Sequence, residues 1–157
     1  MKKLIIPALL AGLAGGLAEM AWIAFYSSAT ATSGIEVARQ VTTSVYPAAS
    51  NALWAPWAGA GLHILLSLVL GLAFVLVLWA WSSGRPSAEK IWISAILALT
   101  AIWAINFFLV LPAMNSSFAT LMPYGTTLLS KALFGVAMAA VLQRYSITSK
   151  RSSHAQS

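Results

Sequence analysis

Four polar residues stand alone within long apolar stretches, and they are the residues of this chain best suited to chemistry. They are Glu19, His63, Asn106 and Lys131. A carboxylate and an ammonium group can form an ion pair, and an amide can hydrogen-bond to either. An imidazole can take up or release a proton near neutral pH. Ionisable groups inside a membrane are costly and commonly mark solute or proton pathways.

Counting residues along helices places all four at nearly one depth. Glu19 and Asn106 each lie fifteen residues after the start of an apolar run, which is about 22 Å at 1.5 Å per residue. His63 and Lys131 lie about 9 and 10 Å after the starts of theirs. Because successive runs cross in opposite directions, these depths coincide in the outer third of a bilayer. We therefore predict a Glu19–Lys131 ion pair, with His63 and Asn106 completing a polar cluster.

A purely structural interpretation of these residues stays open beside the pathway interpretation. Lys131 is close enough to the outer face to extend its ammonium group toward water along its own helix. Glu19 could be neutral through protonation. His63 and Asn106 could form interhelical hydrogen bonds, each contributing less than about 1 kcal/mol.

Catalysis and metal binding find little support in the sequence. The absence of cysteine excludes disulfides, thiolate ligands and cysteine nucleophiles. There is no Asp, and no serine-hydrolase, zinc-protease or phosphate-loop motif. His63 with nearby methionines would suit Cu(I), but no paired ligand spacing occurs, and a haem would lack a second axial ligand beside it. We predict no catalytic residue, no metal and no cofactor.

The elements that position the four polar residues are apolar runs of membrane-spanning length. Of the 157 residues, 60% are hydrophobic and 8% charged, with a mean hydropathy of +0.84, whereas a soluble domain has roughly 25% charged residues. The runs cover about 4–26, 57–81, 91–111 and 124–142, and each can cross a core about 30 Å thick. The sequence predicts an all-α bundle of four transmembrane helices, forming one domain over 1–145.

The first run has a competing interpretation as a cleaved signal peptide. Lys2 and Lys3 would form its basic region, and Gly16-Leu17-Ala18 a tolerable cleavage site. The apolar stretch continues through Phe25, which is longer than export requires, so we favour a membrane helix.

Orientation follows from the basic residues that flank these runs. Only Arg39 lies in a loop on one side, and the others lie on the opposite side: Lys2, Lys3, Arg85, Lys90, Arg144, Lys150 and Arg151. Basic residues favour the cytoplasm, so we predict a multi-pass protein of the cell inner (plasma) membrane with both termini cytoplasmic. The net charge of +6 forms no basic patch with interleaved aromatic residues, which argues against nucleic acid as a partner.

Small residues recur at helical spacing beside the polar ones. Such stripes, including the GxxxG pair in the first helix, are typical of closely packed membrane helices. The predicted packing positions are Gly12, Gly15, Gly16, Gly59, Ser67, Gly71 and Gly135.

Two further segments have a recognisable pattern. Ser33 and Glu36 fit a helix-capping box, and valines at four-residue spacing then predict a short amphipathic helix over Gly34–Tyr46. This helix would lie on the outer membrane surface or cap the bundle from above. The tail 146–157 is polar, basic and serine-rich, so we predict that it is disordered.

Three short motifs carry a resemblance to known proteins. They are AGLAGGLAE at Ala11–Glu19, His63 in the opening of the second run, and LPAMN at Leu111–Asn115. The layout resembles small four-helix inner-membrane proteins of bacteria, and this resemblance implies the fold and location but no defined chemistry.

Two functions from different classes follow from these observations. The first is a non-catalytic accessory or assembly subunit that packs against a larger membrane complex. The second is a small transporter or channel element that uses the polar level as a gate. Because four helices are few for a pathway within one chain, the second function requires self-association. In both, the lipid bilayer is a partner.

Overall fold

The computed structural model describes residues 2–82 and 85–154, with side chains described for 4–82 and 85–145. Within these ranges all regular secondary structure is helical. In chain order the elements are α1 (Lys2–Ala29), α2 (Gly34–Val45), a 3-10 turn (Pro47–Ala49), α3 (Ala55–Ala80), α4 (Ala88–Ile105), a π-helical segment (Asn106–Val110), α5 (Leu111–Met114), α6 (Ser116–Leu121) and α7 (Tyr124–His154). The all-α prediction is confirmed.

Four of these helical stretches are long and apolar enough to cross a membrane. They are Leu4–Ala29, Ala55–Ala80, Ala88–Met114 and Tyr124–Tyr145, of 26, 26, 27 and 22 residues. At 1.5 Å per residue even the shortest extends about 33 Å, more than the roughly 30 Å of a hydrocarbon core. The prediction of four membrane-spanning helices is confirmed by their length and composition.

The third span continues through Pro112, where the sequence predicts that it ends. Proline has no N–H, so the carbonyl of Phe108 loses its ordinary helical partner. Just before it, the helix widens over Asn106–Val110, and the Leu111 N–H donates to the Asn106 carbonyl, five residues back. The wider π turn therefore accommodates the proline, and the helix continues to Met114.

The helices pack in an order that the sequence does not reveal. α1 lies between α3 and α7, and α7 in turn packs against α4. A core of buried side chains joins all four spans toward the end of the bundle that holds the 82–87 connection. Its members are Ala8, Ala11, Phe74, Val75, Leu78, Ile91, Ala95, Leu99, Phe134, Met138, Ala139 and Leu142. α1 and α7 are therefore the inner pair, and α4 is separated from α1 by α7.

Glycines allow α1 and α3 to approach until their backbones touch. A Cβ atom on Gly12 would overlap the Ser67 carbonyl oxygen, and one on Gly71 would lie 2.5 Å from the Ala8 carbonyl oxygen. Gly16 faces the Ser67 side chain in the same way. Four of the predicted packing positions therefore form one contact between two membrane helices, as small residues do in lipid.

The remaining predicted packing positions face other neighbours. Gly15 lies against the ring of Phe134 on α7, and Gly135 lies against Ala95 on α4 with space for a methyl group. Gly59 approaches the backbone of α2 at Ala38. Its small size thus serves the contact with a short helix and not a contact between two spans.

A capping serine starts α2, and one of its two predicted capping contacts forms. The Ser33 hydroxyl accepts a hydrogen bond from the Glu36 N–H. Among the described residues, Glu36 does not reach back to the cap: its carboxylate accepts from Gln40 Nε2 at 2.6 Å and pairs with Arg39 at 3.3 Å. The glutamate therefore stabilises the following turn of the helix.

Hydrogen bonds fix α2 across one end of the bundle, which we call the α2 end. Thr42 Oγ1 donates to the Ala55 carbonyl at the start of α3 over 2.6 Å. Asn115, between α5 and α6, donates through Nδ2 to Gln40 Oε1 at 2.8 Å, and its Oδ1 accepts from the Phe118 N–H. α2, α3 and the α5–α6 segment are thus joined by buried and half-buried polar contacts.

α7 continues well beyond the predicted end of the fourth run at Leu142. Its backbone is helical as far as His154, where the sequence predicts disorder from residue 146. Neither glycine nor proline occurs after Leu142, so no residue there stops a helix. The end of the predicted disordered tail, 155–157, lies outside the described residues.

The contact between α1 and α3 yields a stability prediction. Gly12→Ala is expected to destabilise the protein by about 1–3 kcal/mol, because the new methyl group overlaps the α3 backbone. The matched control is Gly61→Ala, whose methyl group meets nothing within 4 Å and whose helix propensity improves by about 1 kcal/mol. Denaturant titration in detergent measures both, and equal effects would contradict the close α1–α3 contact.

Candidate functional site

The centre of the candidate site is an ion pair between α1 and α7. Lys131 Nζ lies 2.6 Å from Glu19 Oε2, with side chains only 17% and 12% exposed. Both residues lie within membrane-spanning stretches. Because an isolated charge in hydrocarbon costs at least about 2.5 kcal/mol, the two groups offset much of each other's cost.

Ser130 forms a hydrogen bond with the second oxygen of the Glu19 carboxylate. Its Oγ lies 3.2 Å from Glu19 Oε1 and 2.7 Å from the Thr127 carbonyl oxygen. A hydroxyl has one hydrogen, which these two acceptors share. Each carboxylate oxygen of Glu19 therefore has a partner on α7.

His63 brings α3 to the same carboxylate. Its Nε2 lies 3.9 Å from Glu19 Oε2 and 3.3 Å from the Gly16 carbonyl oxygen. A proton on Nε2 can be donated to that carbonyl, and a doubly protonated ring would also carry a charge facing Glu19. We call Glu19, His63, Ser130 and Lys131 the Glu19 cluster.

The structure does not bring Asn106 into the cluster, contrary to the prediction. Among the described residues, its side chain forms no hydrogen bond with Glu19, His63 or Lys131. The physical reason is the helix order: α4 packs against α7, on the side of α7 away from α1. Its main chain instead opens the π-helical segment. Two residues at the same depth in the membrane can therefore lie on different sides of the bundle and out of contact.

Two tryptophans hold the start of α7 just beyond the cluster. Trp103 Nε1 on α4 donates to Thr127 Oγ1 at 3.0 Å, and Trp22 Nε1 on α1 donates to the Thr126 carbonyl at 3.1 Å. The Trp103 ring also packs against Tyr124, with ring centroids 6.4 Å apart. These contacts fix the first turns of α7 from both sides, and so fix the turn that carries Ser130 and Lys131.

Sequence reasoning missed Ser130 and the tryptophan donors. Ser130 had one available signal, because it precedes Lys131 and a polar neighbour on the same helix can share a partner. A serine in an apolar helix more often bonds to its own backbone, as Ser130 also does to Thr127. The sequence therefore gave no means to choose between the two roles.

The Glu19 cluster brings three ionisable side chains together. The imidazole of His63 and the ammonium group of Lys131 both lie within 3.9 Å of one carboxylate oxygen, Glu19 Oε2. No group of three or more His, Cys, Asp or Glu side chains that could hold a metal ion occurs in the part of the chain that the structure describes. Lys131 Nζ also lies 5.8 Å from the centroid of the Phe134 ring, within range of a cation–π interaction.

No protein-family model matches the chain, and no curated protein and no solved structure shows significant similarity to it. The resemblance to small inner-membrane proteins of bacteria therefore stays a prediction. The helices themselves define a broader class, because four of them have the length and hydropathy to cross a membrane. The chain is a multi-pass membrane protein with a polar cluster inside its helical bundle.

The ion pair is tested by reversing its charges. Glu19→Lys and Lys131→Glu each leave two like charges facing each other, and each is expected to cost about 3–5 kcal/mol of unfolding free energy. The double reversal restores opposite charges and should recover most of the loss. Denaturant titration in detergent gives the measurement.

The control for charge alone is Glu89→Lys, an exposed position at the start of α4. Its effect should stay below about 1 kcal/mol. A double reversal no more stable than either single reversal would show that the two side chains do not interact.

Proposed function

We propose that this protein is a non-catalytic accessory or assembly subunit, which packs against a larger membrane complex through the outer face of α4. The observation that carries the proposal is the position of this helix. α4 packs mainly against α7, and its span has the smallest buried share of the four, 17% against 39% for α7. A helix at the edge of a bundle is available to a neighbouring protein.

The outer face of the span Ala88–Met114, which we call the outer face of α4, carries exposed large apolar side chains toward both of its ends. Its exposed members are Ile93, Ile96, Leu97, Ile105, Phe108, Leu109 and Val110. The last three lie in the π-helical segment, a feature frequent at functional sites. Phe108 is held edge-on against Trp103, with ring centroids 5.5 Å apart. A rigid aromatic residue on an apolar face suits packing against another helix.

The interior supports a structural rather than a catalytic role. Both oxygens of the Glu19 carboxylate have partners within the chain. The carboxylate therefore needs no ligand to complete its hydrogen bonding, and the Glu19 cluster stabilises the bundle that presents α4.

A second candidate function rests on His63. Its Nε2 lies 3.9 Å from Glu19 Oε2, so a proton entering the cluster would have two sites close together. This favours a small oligomeric transporter or channel element in which the Glu19 cluster acts as a gate. Several chains would have to form its pathway.

The proposed setting is the inner membrane, with both termini in the cytoplasm. The support is the distribution of basic residues, because Arg39 on α2 is the one Lys or Arg outside the apolar runs at the α2 end. The α2 end would then face the side of the membrane away from the cytoplasm. The Glu19 cluster lies beneath the α2 end, within the bundle.

The proposed orientation is tested by labelling with an impermeant thiol reagent, since the chain has no cysteine of its own. Ala48→Cys and Ala88→Cys are matched exposed positions at opposite ends of the bundle. In intact cells Ala48→Cys should react and Ala88→Cys should react only after lysis. The reverse pattern would overturn the orientation.

The accessory role is tested by native mass spectrometry of the protein extracted in mild detergent. We expect a stable complex with a different membrane protein, and we expect Leu109→Trp to reduce that complex by at least about tenfold, the scale of a lost core contact. The matched control is Val69→Trp on α3, because Val69 and Leu109 are exposed to similar extents, 56% and 67%.

Two outcomes would contradict the accessory role. A discrete homo-oligomer without any foreign partner would favour the transporter or channel element. An equal loss of the complex in both tryptophan variants would show that the outer face of α4 is not the contact.

A further inference from the structure

A groove of about 360 Å³ runs along the membrane-facing side of α1 and α7. We call it the α1–α7 groove. Leu10, Leu13 and Leu17 line it on α1, and Val141 lines it on α7. Arg144 and Tyr145 close it at the end of the bundle opposite the α2 end. The groove surface is therefore almost entirely apolar, and Arg144 and Tyr145 border one end of it.

We propose that the α1–α7 groove binds an anionic phospholipid, with an acyl chain along the leucines and the phosphate at Arg144. Leu10 to Leu17 covers about two helical turns, or roughly 10 Å, in the direction in which acyl chains lie. The groove opens toward the bilayer, so a lipid chain enters it by lateral movement. The ligand therefore reaches the groove from within the bilayer and not from the aqueous phase.

Charge complementarity selects the headgroup. A guanidinium group binds phosphate oxygens through two parallel N–H donors, and Arg144 is exposed where the α7 span ends. Arg144 also takes part in an interaction within the chain, but a guanidinium has five N–H donors and can serve more than one acceptor. Tyr145 adds a phenol, a group that favours the depth of lipid headgroups.

The wider distribution of charge supports the same ligand. Arg85 and Lys90 lie in or beside the 82–87 connection at this end of the bundle, and α1 begins there with Lys2 and Lys3. Anionic lipids accumulate beside such basic segments. A zwitterionic lipid would fill the groove equally well but gain less from Arg144. Preference for negative headgroups is thus the property that distinguishes a site from ordinary contact with the bilayer.

The test is native mass spectrometry of the full chain in detergent, with phosphatidylglycerol or phosphatidylcholine added at equal concentrations. The unmodified protein should retain one phosphatidylglycerol molecule in clear preference to phosphatidylcholine. Arg144→Gln should weaken phosphatidylglycerol binding about tenfold, the scale on which a charge-assisted hydrogen bond contributes. The matched control is Glu89→Gln, which changes the charge by one unit at the same end of the bundle without touching the groove.

A second variant tests the groove itself. Ala14 forms part of its wall, so Ala14→Phe should fill the space and reduce binding of both lipids. Circular dichroism and thermal unfolding establish that each variant is folded. Equal retention of both lipids by the unmodified protein, no loss in Arg144→Gln, or an equal loss in Glu89→Gln would overturn the proposal. A shift from dimer to monomer in Ala14→Phe, with lipid retention unchanged, would identify a second copy of the chain as the occupant instead.

Discussion

A charge that enters hydrocarbon requires a partner, and in this protein that requirement joins α1 to α7 at Glu19 and Lys131. The 2.6 Å contact between them sets which faces of the two helices meet and at which register. Gly15 then lies against Phe134, one turn away from the pair on each helix. α3 packs closely against α1 through glycines. This packing places His63 of α3 beside the same carboxylate. The neighbours of α1 on both sides are thus arranged around one buried carboxylate.

The fold and the ion pair could be predicted from the sequence because both depend on distances along a helix. A fixed rise per residue converts the positions of Glu19 and Lys131 into depths, and opposite charges at one depth favour pairing. Asn106 shows the limit of this argument, since depth says nothing about the order of helices around a bundle. The continuation of the third span through Pro112 was missed because a π turn depends on local geometry that residue type alone does not specify.

The described structure separates the roles of the interior and the exterior. Inside, the side chains of the Glu19 cluster hydrogen-bond to one another or to backbone carbonyls. The tryptophans above the Glu19 cluster hold the start of α7. Outside, α4 presents an apolar face and the α1–α7 groove a second apolar surface that ends at Arg144. These surfaces belong to different helices, so a neighbouring protein and a bound lipid can be accommodated together. The proposed accessory role requires both a stable interior and outer faces that are open to neighbours.

The most direct test of this account is a solid-state NMR distance measurement in proteoliposomes, between the Lys131 side-chain nitrogen and the Glu19 carboxyl carbon. The signals of the two side chains are assigned by comparing spectra of the unmodified protein with spectra of Lys131→Gln and Glu19→Gln. The account predicts strong dipolar coupling, as expected for a nitrogen 2.6 Å from a carboxylate oxygen, and a carboxyl chemical shift typical of the ionised form. The absence of coupling assigned to this pair would show that the two charges find other partners in the membrane, and would contradict the account.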